Sequence, residues 1–230
     1  LDYSQRMSSS EAEQDRVVAD GEYGIFEGSA RDRVVMDEYR RLGHWAPDLV
    51  ELVVDRLFAG GQGTLIDIGA NIGLVCVPVI ERSEARAVCF EPEPQNFEFL
   101  CRNVARHELS ARIQCHRLAC HAQPGQLPLL LSEDNLGDHR LQRTAAVQTA
   151  AARASVLVPT ARLDDVLRDQ ELVHPIVVKV DAQGSEVAVF AGATQTLARA
   201  DFVVTEYWPR GIVEHGDTAG QFATYMRDFP

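Results

Sequence analysis

Positive charge is scarce in this 230-residue chain: Lys and Arg total 22 against 34 Asp and Glu, for a formal net charge of -12. Such a surface repels phosphate backbones and anionic lipid headgroups. The basic residues form no patch, only pairs such as Arg40-Arg41. Neither a nucleic-acid partner nor a membrane is expected. Long apolar runs are missing too. The longest lies around Ile72 to Ile80 and carries Pro78; it is about ten residues against the ~20 that span a bilayer. The first residues, from Leu1 on, show no leader pattern. No CxxC occurs, and the five cysteines (Cys76, Cys89, Cys101, Cys115, Cys120) are an odd number. The expectation is reduced thiols serving as small core residues of a cytoplasmic protein, with no disulfide framework or zinc site. No G-x-G-x-x-G follows a strand, which counts against a nucleotide-dependent oxidoreductase.

What is present fits one α/β domain. The length and the 46% apolar content allow a single sizeable core and are short for two. Residues 1–60 read as a polar lead-in followed by helices packing on a core, and 61–230 as that core, with an irregular insertion near 120–160. In Pro47 to Phe58 the proline sits in the first turn, and Leu49, Val50, Val53, Val54 and Leu57 share one face. From Thr64 onward, strand and helix patterns alternate. Strands are expected at Thr64 to Ile68, Arg86 to Phe90, Ile113 to Ala119, Ile176 to Val180 and Phe202 to Tyr207. Helices are expected at Gly73 to Glu81, Pro94 to His107, Ser185 to Ala198 and Thr218 to Arg227. Leu127 to Leu131 and Val156 to Val158 read as strands bracketing a polar stretch. The alternation predicts a doubly wound, mostly parallel sheet.

Ligands of such sheets bind at the carboxyl ends of the strands. There the sequence places Asp67-Ile68-Gly69-Ala70-Asn71-Ile72-Gly73, with glycines that let the backbone bend and a ligand approach. An acid two residues before the first glycine suits a ligand with a cationic head. S-adenosylmethionine carries an ammonium, a carboxylate and a sulfonium; Asp67 is expected near its positive end and the backbone of Ala70 to Gly73 at its carboxylate. The next strand ends in Phe90-Glu91-Pro92, where an acid can accept hydrogen bonds from both ribose hydroxyls.

Ile66 to Gly73, Phe90-Glu91-Pro92-Glu93-Pro94 with Leu100 and Asn103, Leu163-Asp164-Asp165-Val166, and Val178 to Glu186 with Gly192-Ala193, then Glu206, follow one another in an order and spacing that resembles the FkbM family of methyltransferases. The K-x-D-x-x-G-x-E segment at Lys179 to Glu186 makes it specific. The resemblance implies a Rossmann-like class I methyltransferase fold, S-adenosylmethionine as donor, and usually O-methylation of polyketides, sugars or other secondary metabolites. It implies Asp67, Gly69, Ala70, Asn71, Gly73, Glu91 and Pro92 as cofactor contacts and Asp181 as the active-site acid. Two departures stand out: Pro78 inside the first helix, and an end at Phe229-Pro230 where the fold continues into antiparallel strands.

Methyl transfer is an in-line displacement that depends on positioning, and a neutral hydroxyl must also lose its proton. Asp181 and Glu206 end two strands expected to be neighbours. They can act as base and orienter or jointly bind Mg²⁺. Lys179, inside an apolar strand, needs a carboxylate partner, with Glu186 and Glu206 as candidates. His139, in the insertion, is a candidate general base, and Trp45 and Tyr39 are candidate pocket walls. The acceptor is expected to be a small molecule or glycan. The alternative is a non-catalytic module that binds the donor on the same fold.

Overall fold

The computed structural model describes residues 15–59, 61–142 and 153–229. The polar lead-in before residue 15 and part of the polar stretch expected inside the insertion lie outside them.

The described chain opens with an antiparallel hairpin, β1 (Arg16–Gly21) and β2 (Gly24–Ser29). Two helices follow, α1 (Val35–Leu42) and α2 (Pro47–Glu51), the second running on as a wider π-type coil over Leu52–Leu57. Asp32 starts α1 by accepting the N–H groups of Val34, Val35 and Met36, three of the donors a helix start leaves without partners. The alternating part comes next: β3 (Thr64–Ile68), α3 (Cys76–Glu81), β4 (Arg86–Phe90), α4 (Pro94–Arg106) and β5 (Ile113–His116). The insertion holds β6 (Ala119–Cys120), β7 (Gly125–Leu130), β8 (Arg140–Leu141) and β9 (Ser155–Ala161). The core resumes with α5 (Leu163–Val166), β10 (Ile176–Val180), α6 (Glu186–Ala191), α7 (Thr194–Leu197), β11 (Phe202–Thr205), α8 (Pro209–His215) and α9 (Ala219–Asp228).

Five strands form one all-parallel sheet in the order β11-β10-β3-β4-β5, the doubly wound α/β architecture. Strands β3 and β10 are buried along their whole length, as continuous apolar runs in a sheet covered on both faces require. Leu65, Cys89, Ile113 and Val177 face a core shared with the hairpin and α1 to α4, while Ile66, Val88, Val178 and Val180 face one shared with α6 and α9. From β3 the chain winds one way through β4 and β5, then returns on the other side through β10 and β11. The strand order reverses between β3 and β10, which opens a crevice at their carboxyl ends.

Several local expectations are corrected. The first core helix starts at Cys76, not Gly73, so Pro78 lies in its first turn, where proline is best tolerated. The insertion is regular in its described part. Strands β6, β9, β7 and β8 form a second sheet around Leu129, Leu141, Val156 and Val158, with inward and outward residues alternating along β9. The strand expected to run from Ile113 to Ala119 is split by a turn, and its end joins that sheet. The helix expected over Ser185 to Ala198 breaks at Gly192, where a side chain would collide with the carbonyl of His121. Asp164 then caps α7 by accepting the N–H of Gln195 at 3.1 Å and of Thr196 at 2.8 Å, which accounts for one acid of the Leu163 to Val166 motif. After β11 the described residues form two helices rather than antiparallel strands. No helix among the described residues is long and apolar enough to cross a membrane.

Candidate active site

The turn after β3 is built for close approach. Gly69 has φ of +78°, and a side chain there would collide with the backbone carbonyl of Asp181, so only glycine lets the ends of β3 and β10 come together. Its N–H and that of Ala70 both donate to Phe90 O at 3.0 Å. Asn71 N donates to Glu91 Oε2 at 2.9 Å, Ile72 N to Asn71 Oδ1 at 2.7 Å and Gly73 N to Ala70 O at 2.9 Å. The expected anion cradle of backbone N–H groups over Ala70 to Gly73 is thereby corrected: these groups already donate within the chain.

Glu91 is buried at the end of β4, with Oε1 accepting the N–H of Glu93 at 2.9 Å and Oε2 that of Asn71. Each carboxylate oxygen retains a second lone pair, so two further donors, such as a pair of hydroxyls, can still be accepted. Burial pushes the Glu91 carboxyl up to about 8 from an ordinary value near 4.5, against the lowering effect of those N–H groups. The folded state therefore binds this proton more tightly than the unfolded chain. Its contribution to stability is full below pH 4.5 and is lost as pH rises through about 8. Glu91→Gln is expected to flatten this part of the profile. Unfolding free energies at pH 5 and pH 8.5 measure it, and an unchanged difference between the two pH values in the variant would count against the assignment.

Gly69, Ala70, Asn71, Glu91 and Pro92 line a cavity of about 390 Å³, within the range of small-molecule sites. Asp181 and Glu206 line it as well, from the ends of the adjacent strands β10 and β11. Trp45 and Leu49 form part of its wall, as do Leu129, His139 and Leu141 of the insertion. Asn135 to Gly137 also border it: Leu136 O accepts from Asn71 Nδ2 at 3.4 Å and Asn96 Nδ2 at 2.8 Å. Tyr39 is instead a core residue, its hydroxyl donating to Gly24 O.

Two expected cofactor contacts lie elsewhere. Gly73 (φ +94°) is needed for packing, since a Cβ there would stand 3.0 Å from Leu100 Cδ1 on α4. Asp67 is fully buried beneath the crevice, with Oδ1 3.0 Å from Lys179 Nζ. The parallel register puts these residues side by side on β3 and β10, so Asp67, not Glu186 or Glu206, is the lysine's partner. Lys179 Nζ also donates to Gly69 O at 2.7 Å, tying the ion pair to the cradle turn. Burial disfavours the lysine charge, but Asp67 and Asp181 together hold its pKa above the ordinary value. Glu186 accepts the N–H groups of Ala182 and Gly184 at 3.0 and 3.1 Å. Asp67, Cys76 and Cys89 are the one cluster of metal-ligating groups found among the described residues, and the Lys179 ammonium supplies the compensating cation there.

Also in the cavity lining, Gln183 Nε2 donates to Asp181 Oδ1 at 2.6 Å and lies 3.3 Å from Glu206 Oε2. Partial burial and the adjacent Asp181 raise the Glu206 carboxyl to about 7. A side-chain N–H thus lies within hydrogen-bond reach of both carboxylates. Gln183 was missed in the sequence, where it falls at an unspecified position of the K-x-D-x-x-G-x-E segment; its φ of +49°, next to Gly184, belongs to a tight turn. His139 is corrected as a base. Its Nδ1 accepts the N–H of Ser132 at 3.0 Å, and burial lowers the ring to about 4, leaving it neutral with little basicity.

The methyltransferase FkbM domain matches residues 67–229, 163 of the chain's 230 residues, including the turn after β3, Glu91, the insertion and the carboxylate pair. The chain belongs to this methyltransferase family. The chain is 30% identical over 177 residues to the methyltransferase sdnD of Sordaria araneosa, covering 64% of this chain and 68% of that one. It is 26% identical to the hexuronic acid methyltransferase AglP of Haloferax volcanii, covering 69% and 61%. It is also 26% identical to the 2-O-methyltransferase NoeI of Sinorhizobium fredii, covering 65% of each. The chain thus spans 61 to 68% of the length of these relatives. A solved structure, the methyltransferase FkbM of Methylobacillus flagellatus, superposes with a TM-score of 0.49 at 16% identity, covering 73% of this chain and 37% of that one. In this FkbM methyltransferase the hairpin, α1 and α2 precede the matched segment, yet Trp45 and Leu49 reach the same cavity.

Proposed function

We propose that this FkbM methyltransferase uses S-adenosylmethionine to methylate a hydroxyl oxygen of a small molecule or glycan. One observation carries the reading: the Gly69 to Asn71 turn with Glu91, and the Asp181–Glu206 pair, open into a single cavity. The charges fit the donor. Asp181 and, above about pH 7, the Glu206 carboxylate face a cavity whose one lysine is already paired with Asp67, and that field favours a ligand carrying a sulfonium and an ammonium. Bound there, S-adenosylmethionine would supply an electrophilic methyl carbon. Glu91 would accept hydrogen bonds from the ribose hydroxyls, with Gly69 allowing close approach. Glu206 would take the proton of the attacking hydroxyl, with Asp181 beside it and the Gln183 N–H orienting the pair. The names of two relatives, a 2-O-methyltransferase and a hexuronic acid methyltransferase, support an oxygen acceptor on a small carbohydrate-like molecule. The net charge of -12 supports an acceptor other than nucleic acid.

Calorimetric titration with S-adenosylhomocysteine tests the donor site. Binding by the wild type and an affinity at least about tenfold lower in Glu91→Ala are expected, in line with losing two hydrogen bonds to a buried group. No heat with the wild type would end the proposal. Transfer of labelled methyl groups to hydroxyl compounds tests the reaction, and donor binding without transfer to any acceptor would favour a non-catalytic module.

A further inference from the structure

Gln183 enters the proposed reaction only through its amide N–H, which leaves the other half of that amide without a role. Nε2 carries two protons and has a carboxylate oxygen within reach for each, Asp181 Oδ1 at 2.6 Å and Glu206 Oε2 at 3.3 Å. The reverse orientation would press Oε1 against an oxygen that only accepts, so the carboxylates fix which way the amide points. Oε1 is then an acceptor that receives no hydrogen bond among the described residues, and it is not one of the polar atoms sealed from solvent. Gln183 is partly exposed and lines the cavity together with Asp181 and Glu206. Amide geometry holds Oε1 about 2.3 Å from Nε2, so it stands no farther than about 5 Å from Asp181 Oδ1 and about 6 Å from Glu206 Oε2. The turn that carries it is pinned: at Gly184, which follows, a side chain would collide with Gly211 O of α8. A hydroxyl that gives its proton to Glu206 has no other to give. An acceptor atom held beside the base must therefore be met by a different group of the same molecule.

We propose that Gln183 is a specificity-determining residue for the methyl acceptor: its Oε1 takes a hydrogen bond from a second hydroxyl, on the carbon next to the one that is methylated, so that a 1,2-diol is selected over a lone hydroxyl. The proposal rests on the methyltransferase reading and names the acceptor class for that site. Glu206 and Oε1 are close enough for two oxygens on adjacent carbons to reach one each. A molecule with a single hydroxyl would displace solvent from Oε1 and return nothing to it, which costs more than one bond contributes. An ether or a carboxylate beside the reacting hydroxyl has no proton to offer, and would set lone pairs against those of Oε1 and Asp181.

The test uses protein saturated with S-adenosylhomocysteine and two isomeric probes, 1,2-dihydroxybenzene and 1,4-dihydroxybenzene, which differ only in where the second hydroxyl lies. Nitrogen NMR follows the Gln183 side-chain amide during each titration. The 1,2 isomer is expected to shift the Gln183 Nε2 resonance and to bind about fivefold more tightly than the 1,4 isomer, the scale of one hydrogen bond. Gln183→Met, which nearly keeps the length and removes the acceptor, should bring the ratio of the two affinities to about one. The bonds from Nε2 are lost in that variant as well, but their loss falls on both isomers alike and cancels in the ratio. Its S-adenosylhomocysteine affinity should stay within about twofold of wild type. Equal binding of the isomers by the wild type, no movement of the Gln183 amide with either, or a preference that survives in Gln183→Met would overturn the proposal. A larger loss of S-adenosylhomocysteine affinity in the variant would overturn it too, because the amide would then serve the ammonium of the donor. Failure of the donor site itself would show separately, as absence of S-adenosylhomocysteine binding by the wild type.

Discussion

Lys179→Met is expected to lower the stability of the fold by about 3–5 kcal/mol, the range for breaking a buried ion pair from one side. The substitution nearly preserves volume, so the loss comes from charge: Asp67, fully buried with its carboxylate 3.0 Å from the ammonium, would be left without a counter-ion. At roughly 2–4 °C per kcal/mol for a chain of this size, the melting temperature should fall by about 6–20 °C. The second half of the prediction separates charge from packing. Asp67→Leu combined with Lys179→Met replaces the pair by apolar side chains and should recover most of the loss, because neither charge then needs solvation. Urea unfolding of the single and double variants measures both. A single variant within 1 kcal/mol of wild type, or a double variant no better than the single, would show that the pair is not what holds β3 against β10. Cavity function should suffer in the single variant too, since Lys179 also donates to Gly69 O in the cradle turn.

Glu206→Gln is expected to reduce kcat by about 10²–10⁴, the usual range for losing a general base, with S-adenosylhomocysteine affinity unchanged. The amide keeps the shape and cannot take a proton. The pH profile adds a sign. With the Glu206 carboxyl raised to about 7, kcat/KM of the wild type should climb with pH and level off above that value, because only the deprotonated form accepts the hydroxyl proton. Asp181→Asn removes the neighbouring negative charge, so the apparent pKa should drop and the climb move to lower pH, even though the rate falls. Steady-state rates between pH 5 and 9 on any accepted hydroxyl compound decide it. Full activity in Glu206→Gln, or a climb that moves upward in Asp181→Asn, would remove Glu206 from the base role.

The order of these elements was readable because it rests on local chemistry. Apolar runs of five residues such as Thr64 to Ile68 and Ile176 to Val180, separated by helical stripes, leave few arrangements other than a parallel sheet. Gly69 and Glu91 could be placed at the crevice because strand ends in such a sheet are where ligands bind. Asp67 was misread because a one-letter pattern does not say which face of the strand an acid occupies. At the strand end, one residue of offset separates a cavity wall from the interior. The lysine's partner was missed for a related reason: pairing across β3 and β10 joins residues more than a hundred positions apart, and sequence proximity pointed to Glu186 instead.

By itself the sequence determined the doubly wound sheet, the glycine turn after β3 and the acid at the end of β4, because backbone conformational limits and hydrophobic periodicity act over a few residues at a time. The tertiary structure alone decided that Asp67 neutralises Lys179, that the Ala70 to Gly73 N–H groups are already engaged, that Gln183 lies within reach of both Asp181 and Glu206, and that the His139 ring is held neutral by burial. These outcomes depend on which groups share a solvent-free volume, and in such a volume burial and a neighbour within 3 Å outweigh any preference a residue type carries along the chain.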